Sequence, residues 1–558
     1  MREMRFSRNP AAKQVADIIK EGEKRDAMRR AEKEHVPYFD SQIYPDKEAL
    51  NLVSEEGARG AKLAVVKKEG NELQVVAYST GSPNTKNEIG ALKDKGFSVK
   101  LFITTMGTLE EIWNGYKKEE SKERKKITSS VELSKDKIEK VRNKVKKIED
   151  AKELFNNLSR DVGTSELLGY ILGAALALRA SDIHIEHPTS DEVLLRFRID
   201  GTLRDITNLG KKPARLLASR VKLLAGLKLN ITDAPQDGRY TIEGPNGDME
   251  VRSSIVPAEF GEAIVMRVLD PATVGLSLSE LGLSKEGERT IARDLKHPNG
   301  MILVTGPTGS GKTTTLYAFL KKVKTSAIKI ITIEDPIEYH IEGVEQTQVD
   351  EEGDYRFASG LRSILRQDPD VILVGEIRDN ETASVAIDAA LTGHLVFSTL
   401  HTNNAAGAIP RLVDLGVKQT TIGPAIILVM AQRLVRRLCA NCKKEIEIDE
   451  EAKNKIDKFI ERLPKKVSRE GIGAKLYEAV GCDKCDGGFL GRLAVTEILE
   501  IDDSMDSLIR EKATEKDIQE TAIKEQGMLL MQEDGILKAL AGVTTIGEVE
   551  RVTGPINW

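Results

Sequence analysis

The sequence predicts a chain of several α/β domains, the largest of which is a doubly wound nucleotide-binding domain. At roughly 150 residues per domain, the 558 residues suggest about three or four domains. The first observation is a buried strand, a Gly-rich loop and a helix in direct succession, in MILVTGPTGSGKTTT, residues 301–315. The second is the repetition of strand, loop and helix between Leu276 and Cys439, which is typical of this architecture.

The bulk properties exclude several classes of protein. Hydrophobic residues are 40% and charged residues 31%, as in globular domains, and the net charge of −5 gives no basic field for nucleic acid. We therefore predict no direct nucleic-acid partner. There is no apolar run of about 18 residues for a membrane span, and the first ten residues have no signal-peptide core. These features predict a cytoplasmic protein whose association with a membrane, if any, is through partner proteins.

The segment before residue 153 divides by composition. Residues 1–35 are charged and favour a solvated helix or arm. Residues 36–117 predict a small α/β domain, with strands in AKLAVVKKEG, ELQVVAYST and FSVKLFITT and a helix in NTKNEIGALKDKG. Residues 118–152 mix both charges with few apolar residues, which indicates a solvated, partly helical linker rather than a docking site.

Four segments follow the linker. Residues 153–270 predict a second α/β domain, with helices in SELLGYILGAALALRA and RLLASRVKLLAGLKL and strands in DIHIEH, VLLRFRIDG and EAIVMRVLD. Residues 271–438 form the nucleotide-binding domain, 439–487 an insert with four cysteines, and 488–558 a helical region.

The motif GxxxxGKT between a strand and a helix predicts a phosphate loop. Its glycines allow backbone N–H groups to turn toward phosphate oxygens, Lys312 reaches the terminal phosphates, and Thr313 offers a hydroxyl to Mg²⁺. The helix that follows adds its positive N-terminal end. We expect ATP to be held by Gly306, Pro307, Thr308, Gly309, Ser310, Gly311, Lys312, Thr313 and Thr314.

Two more predicted strands deliver acids at their carboxyl ends, where ligands bind in open α/β sheets. KIITIEDPIEYH ends its strand with Glu334 and Asp335, and DPDVILVGEIRD ends with Glu376. Gly375 stands where an aspartate usually holds magnesium. We expect Glu376 to polarise a water for in-line attack, with acids from both strands near the metal. Which of Glu334 and Glu376 is the dominant base stays open.

A fourth segment, TGHLVFSTLHTNNA, brackets an apolar strand with His394 and His401. A single histidine is usually structural. Two of the seven histidines around one strand, followed by a polar cluster, indicate a sensor of phosphate state that contacts the γ-phosphate or relays to a neighbouring subunit.

In this order the four segments resemble the secretion ATPase superfamily. GPTGSGKTTTLYA resembles its Walker A motif, ITIEDPIEY its aspartate box, LRSILRQDPDVILVGEIRD its atypical Walker B motif, and GHLVFSTLHTN its histidine box. The resemblance implies that Gly375 is the family pattern and that Glu376 is the catalytic glutamate. Upstream, VRSSIVPAEFGEAIVMRVLD resembles a family segment whose two arginines reach the γ-phosphate, here Arg252 and Arg267. Guanidinium groups suit that role because they neutralise charge on the transferred phosphoryl group.

The cysteines form two CxxC pairs, which is metal-ligand spacing. RRLCANCK and GCDKCDGGFLGRLAVTEIL resemble the zinc-binding insert of the branch that powers type II secretion and type IV pilus assembly. Four thiolates can close a structural Zn²⁺ site. The expected ligands are Cys439, Cys442, Cys482 and Cys485.

The resemblance implies a RecA-like ATPase core preceded by a PAS-like α/β domain and by a small domain that docks onto a membrane platform. It implies a homo-hexameric motor that hydrolyses ATP with Mg²⁺ at the inner face of the cytoplasmic membrane. That motor would drive an inner-membrane platform protein and assemble a type IV pilus or a secretion pseudopilus. A pilus retraction motor, a nucleic-acid translocase on the same core and a nucleotide-gated scaffold without useful turnover stay open as alternatives.

Overall fold

Two units make up the computed structural model of the chain, Met1–Val131 and Glu132–Trp558. The residues that the structure describes are 10–39, 46–113, 116, 135–158, 162–244, 247–269, 276–350, 353, 355–464, 466–467, 475–556 and 558. Across these residues, no helix combines the length and the apolar character that crossing a membrane requires.

The first unit is built on a three-stranded sheet of order β1-β2-β3. β1 pairs with β2 antiparallel and β2 with β3 parallel, which confirms the three predicted strands. The indole N–H of Trp113 donates to the Leu63 carbonyl at 3.0 Å and ties the last helix to the sheet. The elements are α1 (Pro10–Glu34), α2 (Lys47–Leu50), α3 (Glu55–Gly60), β1 (Leu63–Glu69), β2 (Glu72–Ala77), α4 (Pro83–Asp94), β3 (Ser98–Ile103) and α5 (106–113).

The prediction of a charged, solvated arm over residues 1–35 is wrong for the second half of α1. Ala27 and Ala31 are buried against Ile103 of β3, and Glu34 accepts hydrogen bonds from the Ser79 and Thr80 side chains at 2.7 and 2.6 Å. Small residues one turn apart let a charged helix lie flat on a sheet, a pattern that mean composition hides. Residues 1–9 of this predicted arm lie outside the described residues.

The predicted linker is helical where the structure describes it, as expected, but one side of its helices is buried rather than solvated. Helix α6 (Lys135–Lys144) packs against α8 (Thr164–Ala177), and α7 (Ile148–Asn156) lies between them in the sequence. Ile138 and Val141 are 1% and 3% exposed. The apolar residues are few but share one helix face, so they bury a narrow stripe beneath a charged surface. Residues 118–134 of this segment lie outside the described residues.

A six-stranded antiparallel sheet of order β6-β5-β4-β9-β8-β7 follows α8. Alternate residues of β5 are buried and half-buried, as expected when one face of a sheet packs on helices. The other face carries polar side chains such as Asp182, Arg198 and Arg267 toward a large cavity. The elements are β4 (Ala180–Glu186), β5 (Val193–Ile199), β6 (Thr202–Leu209), α9 (Lys211–Leu224), β7 (Gln236–Gly244), β8 (Gly247–Ala258) and β9 (Gly261–Leu269).

The nucleotide-binding domain has a seven-stranded sheet of order β12-β11-β13-β14-β10-β15-β18. Its neighbours pair parallel except the edge strand β18, which is antiparallel to β15. The elements are α10 (Lys285–Asp294), β10 (Gly300–Thr305), α11 (Lys312–Val323), β11 (Ile330–Glu334), β12 (Glu345–Gln348), α12 (Phe357–Ile364), β13 (Val371–Val374), α13 (Asn380–Leu391), β14 (Leu395–Leu400), α14 (Ala408–Asp414), α15 (Gln419–Ala425), β15 (Ile426–Leu438) and β18 (Phe489–Glu500).

Strand β18 corrects the prediction that residues 488–558 are helical. A short apolar run by itself does not distinguish a buried strand from a helix. Here the run becomes a strand because it pairs antiparallel with β15. The rest of the segment is helical, with α17 (Asp503–Arg510), α18 (Glu515–Thr521), α19 (Met531–Leu540) and α20 (Ile546–Thr553). The insert before β18 contains a two-stranded hairpin and a helix, β16 (Lys444–Ile446), α16 (Glu450–Arg462) and β17 (Leu476–Glu478).

The contact between α6 and α8 makes a prediction about stability. A Cβ at Gly173 would lie 2.9 Å from Val141 Cβ and 3.0 Å from the Ile138 carbonyl. We expect Gly173→Val to lower the free energy of unfolding by about 1–3 kcal/mol through overpacking, measured by urea denaturation. The control is Gly169→Ala on the same helix, where a Cβ has nothing within 4 Å. An equal loss in both variants would contradict the packing.

Candidate nucleotide and metal sites

A cavity of about 1160 Å³ lies between the six-stranded sheet and the nucleotide-binding domain. Asp182, Arg198 and Arg267 line it from the sheet, and residues 307–314, Glu376 and His401 line it from the other side. Strands β10, β11, β13 and β14 are parallel neighbours, so their carboxyl ends meet at one edge. The structure thus brings together at this edge the four segments that the sequence singled out.

The phosphate loop, residues 306–313, has the backbone that its glycines predict. Gly306, Gly309 and Gly311 have φ angles of 145°, 78° and 89°, a region that side chains disfavour. Lys312 Nζ donates to the carbonyls of Gly306 at 2.9 Å and of Pro307 at 3.1 Å. Burial lowers the pKa of Lys312, and the nearby charge of Glu376 partly offsets that effect. This lysine is therefore positioned to exchange neutral carbonyl partners for anionic phosphate oxygens.

Glu376 follows β13 and faces the loop. Its carboxylate lies 2.6 Å from Arg378 Nη2 and 3.2 Å from His401 Nε2, and 12% of the side chain is exposed. A smaller cavity of about 130 Å³ borders Lys312, Thr313, Glu376 and His401. This arrangement places a carboxylate, a lysine and a hydroxyl around a space that suits a water or a metal ion.

Glu334 borders the same small cavity but has more hydrogen-bond partners. It is 3% exposed and accepts hydrogen bonds from the hydroxyls of Tyr317 and Thr332 and from Gln346 Nε2. Burial and the Glu334 carboxylate raise the pKa of Tyr317, which keeps that phenol a donor. Glu334 is therefore held by three donors and is almost fully buried, whereas Glu376 contacts Arg378 and His401 and is 12% exposed.

The glycine at position 375 has a steric reason. A Cβ there would lie 3.3 Å from the Ile333 carbonyl and 3.4 Å from Glu334 Cα, which is tighter than ordinary contact. Thr399 Oγ1 also donates to the Gly375 carbonyl at 2.8 Å. A side chain at this position would need its neighbours to shift by a few tenths of an ångström, which glycine avoids.

The two histidines of the fourth segment have different surroundings. His401 lies at the carboxyl end of β14 and contacts Glu376. His394 lies at the other end of the strand, where its Nδ1 is 3.0 Å from the Ala389 carbonyl. The structure therefore supports a site role for His401 and a structural role for His394.

The two predicted arginines also differ. Arg267 lines the large cavity, is 53% exposed and donates through Nε to Asp182 Oδ1 at 2.9 Å. Arg252 contacts the segment after Glu334 instead, donating to the Ile337 carbonyl and to Glu338 Oε2 at 3.1 Å. In this structure Arg252 joins the six-stranded sheet to the aspartate-box loop.

Sequence reasoning missed several residues at the cavity. Arg198, Arg378 and Arg433 line it, and Gln432 contacts the phosphate loop from β15. The polar residues in QRLVRR, residues 432–437, directly follow an apolar run and were an available signal, because the part of β15 that pairs with β10 ends at Ala431, beside the loop.

The four cysteines form a cluster that could hold a metal ion, with all four Sγ atoms within 4.8 Å of one another: Cys439, Cys442, Cys482 and Cys485. Three of the Sγ pairs are 3.6, 3.6 and 3.9 Å apart. Tetrahedral Zn–S bonds of about 2.3 Å place sulfurs about 3.8 Å apart, so the cluster fits zinc. Burial and the neighbouring thiols raise the pKa of Cys485 to about 12, so a cation is needed to make the cluster a set of thiolates at neutral pH.

This cluster predicts one zinc ion per chain. We expect Cys485→Ser to lose zinc and to unfold several degrees below wild type, because the hairpin β16–β17 loses its closure. Zinc is measured by elemental analysis and unfolding by calorimetry. Lys484→Ser, an exposed neighbour between two ligands, is the control and should keep both properties. Zinc-free wild-type protein of full stability would contradict the prediction.

Comparison with known proteins agrees with this geometry. Residues 159–551 match the family model described as Type II/IV secretion system protein. The chain is 45% identical over 399 residues to the type II secretion system ATPase E of Vibrio cholerae, covering 70% of this chain and 76% of that protein. It is 35% identical over 524 residues to the type IV pilus assembly ATPase PilB of Myxococcus xanthus, covering 92% and 88%.

A solved structure supports the fold. The Legionella pneumophila ATPase DotB matches with a TM-score of 0.52 at 22% identity, over 73% of this chain and 99% of that chain. With the family model covering more than half of the sequence, the chain belongs to the type II/IV secretion ATPase family, in the type II secretion and type IV pilus branch, and is an ATPase.

Proposed function

We propose that the chain is the hexameric motor that powers assembly of a type IV pilus or a type II secretion pseudopilus by driving an inner-membrane platform protein. Both named relatives support this role, one a secretion ATPase and one a pilus assembly ATPase. The alignment with the pilus assembly ATPase covers 92% of the chain and so extends into the first unit. In this role the chain works at the cytoplasmic face of the inner membrane, and its first unit docks onto the platform.

The proposed hydrolysis rests on one observation. Glu376 and Lys312 both line the cavity between the six-stranded sheet and the nucleotide-binding domain. Glu376 acts as the base that takes a proton from the attacking water, and the contact with His401 orients its carboxylate. Glu334 holds the end of β11 through Tyr317 and Thr332 and supports the site from behind. Phosphoryl transfer needs mostly positioning and charge neutralisation, which this set of groups supplies.

The phosphate loop holds the nucleotide. Its backbone N–H groups and Lys312 bind phosphate oxygens, with Pro307, Thr308, Ser310 and Thr314 shaping the rim. Thr313 is exposed at the small cavity and would hold magnesium with water, Glu334 and Asp335 nearby. Magnesium, when bound, neutralises charge on the phosphate oxygens.

The arginines connect hydrolysis to movement. Arg267 is half exposed on the opposite wall of the cavity, and domain closure brings its guanidinium to the γ-phosphate. Arg252 then leaves Glu338 for the same phosphate, so the contact between the domains depends on the nucleotide. Loss of the γ-phosphate removes both attractions and lets the cleft open.

In a ring, successive closures turn the platform and add filament subunits. The zinc cluster holds the insert rigid during this cycle.

The first test is steady-state Mg-ATP hydrolysis by zinc-loaded protein over concentrations that span ring assembly. We expect Glu376→Gln to lose at least about a hundredfold in kcat, a typical loss for a general base, with ATP binding retained. Glu334→Gln should lose about tenfold or less, because its role is support. Glu381→Gln, exposed on α13, is the matched control. A larger loss in Glu334→Gln than in Glu376→Gln would reverse the assignment of the base.

The cellular role needs its own test. A strain whose chromosomal copy carries Glu376→Gln should lack surface pili or secreted protein, while Glu381→Gln should be normal. Microscopy and secretion assays distinguish the two machines. Normal filaments and normal secretion in the Glu376→Gln strain would refute the motor and favour a nucleotide-gated scaffold.

A further inference from the structure

Gln432 is a buried polar residue in the middle of a strand, and none of the roles described above requires it. It is 2% exposed and lies in β15. The parallel register pairs Thr305 with Ala431, so Gln432 stands beside Gly306, the first residue of the phosphate loop. A primary amide at such depth is costly to bury unless both its ends find hydrogen-bond partners.

Both ends of the amide have partners on the loop and its helix. Nε2 donates to the Ser310 carbonyl at 2.6 Å, and Oε1 accepts from the Thr315 hydroxyl at 2.7 Å. The Ser310 carbonyl can only accept, which assigns the amide nitrogen to that side. The side chain therefore bridges the top of the phosphate loop and the first turn of α11.

The bond to Ser310 also sets the direction of the next N–H group. In a planar trans peptide the carbonyl and the following N–H point in opposite directions. With the Ser310 carbonyl directed at Gln432, the Gly311 N–H points away from it. The carbonyl oxygen, which would repel an anion, is thus kept out of the loop, and an N–H donor is available for phosphate.

Two glycines of the loop lie so close to Gln432 that a side chain at either position would collide with it. A Cβ on Gly306 would lie 2.4 Å from the Gln432 carbonyl oxygen, and one on Gly311 would lie 2.7 Å from Gln432 Nε2. By contrast, a Cβ on Gly309 would meet nothing within 4 Å. The close approach of β15, as well as positive φ, therefore excludes side chains at Gly306 and Gly311.

We propose that Gln432 is a positioning residue for the phosphate site, which holds the phosphate loop in its anion-binding conformation before nucleotide arrives. A loop held in advance loses less conformational freedom on binding, so it binds more tightly. The proposal rests on residues 306–313 being the phosphate site.

The test uses the full-length zinc-loaded protein and two variants. Gln432→Met keeps the length and loses both hydrogen bonds, while Gln432→Glu keeps the acceptor for Thr315 and cannot donate to Ser310. The ligands are ADP and inorganic tripolyphosphate, which has the phosphate chain without a base. We expect both variants to bind both ligands about tenfold more weakly or worse. KM for ATP should rise by a similar factor, with kcat within about threefold of wild type, because ground state and transition state share this contact.

Thr496→Val is the matched control, since Thr496 of β18 pairs with Gln432 of β15 and is also buried, at 6% exposed against 2%, and it should bind both ligands as wild type does. Folded Gln432→Met or Gln432→Glu protein with wild-type affinity for both ligands would overturn the proposal. So would a loss confined to kcat, or an equal loss in Thr496→Val. If Gln432→Met does not fold, Gln432→Glu decides. Failure of wild type itself to bind either ligand would instead refute the phosphate site.

Discussion

Parallel pairing of the strands around β10 is the constraint on which the candidate site depends. β10 lies between β14 and β15, and β13 and β11 follow beyond β14. Because these strands run in one direction, the phosphate loop, Glu334, Glu376 and His401 end up at the same edge although 95 residues separate the first from the last along the chain, 306 to 401. A Cβ at position 375 would lie 3.3 Å from the Ile333 carbonyl at the end of β11, so glycine fits this edge without any shift of its neighbours.

Strand β15 connects that edge to the metal cluster. It passes the phosphate loop at Gln432 and reaches Cys439 one residue after its end, where the Cys439 N–H donates to the Gly488 carbonyl at 2.8 Å. Arg436 of the same strand donates to Glu548 of α20. Burial alone raises the pKa of Glu548, but Arg551 and Arg436 hold it at about 2, so the carboxylate stays ionised. These hydrogen bonds attach α20 and the four-cysteine insert to β15, the strand that contacts the phosphate loop.

The segment from Asp486 into β18, directly after the second CxxC pair, also reaches the six-stranded sheet. Arg204 donates to Asp486 through Nε and Nη2 at 3.2 and 3.1 Å, and the Gly491 N–H donates to Asp200 at 2.9 Å. Asp486 directly follows the ligand Cys485. These contacts tie the segment that follows the second CxxC pair to the sheet that faces the phosphate loop.

The sequence by itself determined the local chemistry. The spacing of Gly306, Gly311 and Lys312 specifies a phosphate loop, the CxxC pairs specify a metal cluster, and strands such as DIHIEH follow from alternation, because each depends on neighbours in the chain. The tertiary structure decided the features that depend on contacts between residues distant in sequence. It made β18 a strand by pairing it with β15, buried one stripe of α6 against α8, separated the roles of Arg252 and Arg267, and placed Gln432 beneath the loop. These outcomes depend on contacts between residues far apart in sequence, which local pattern and composition do not encode.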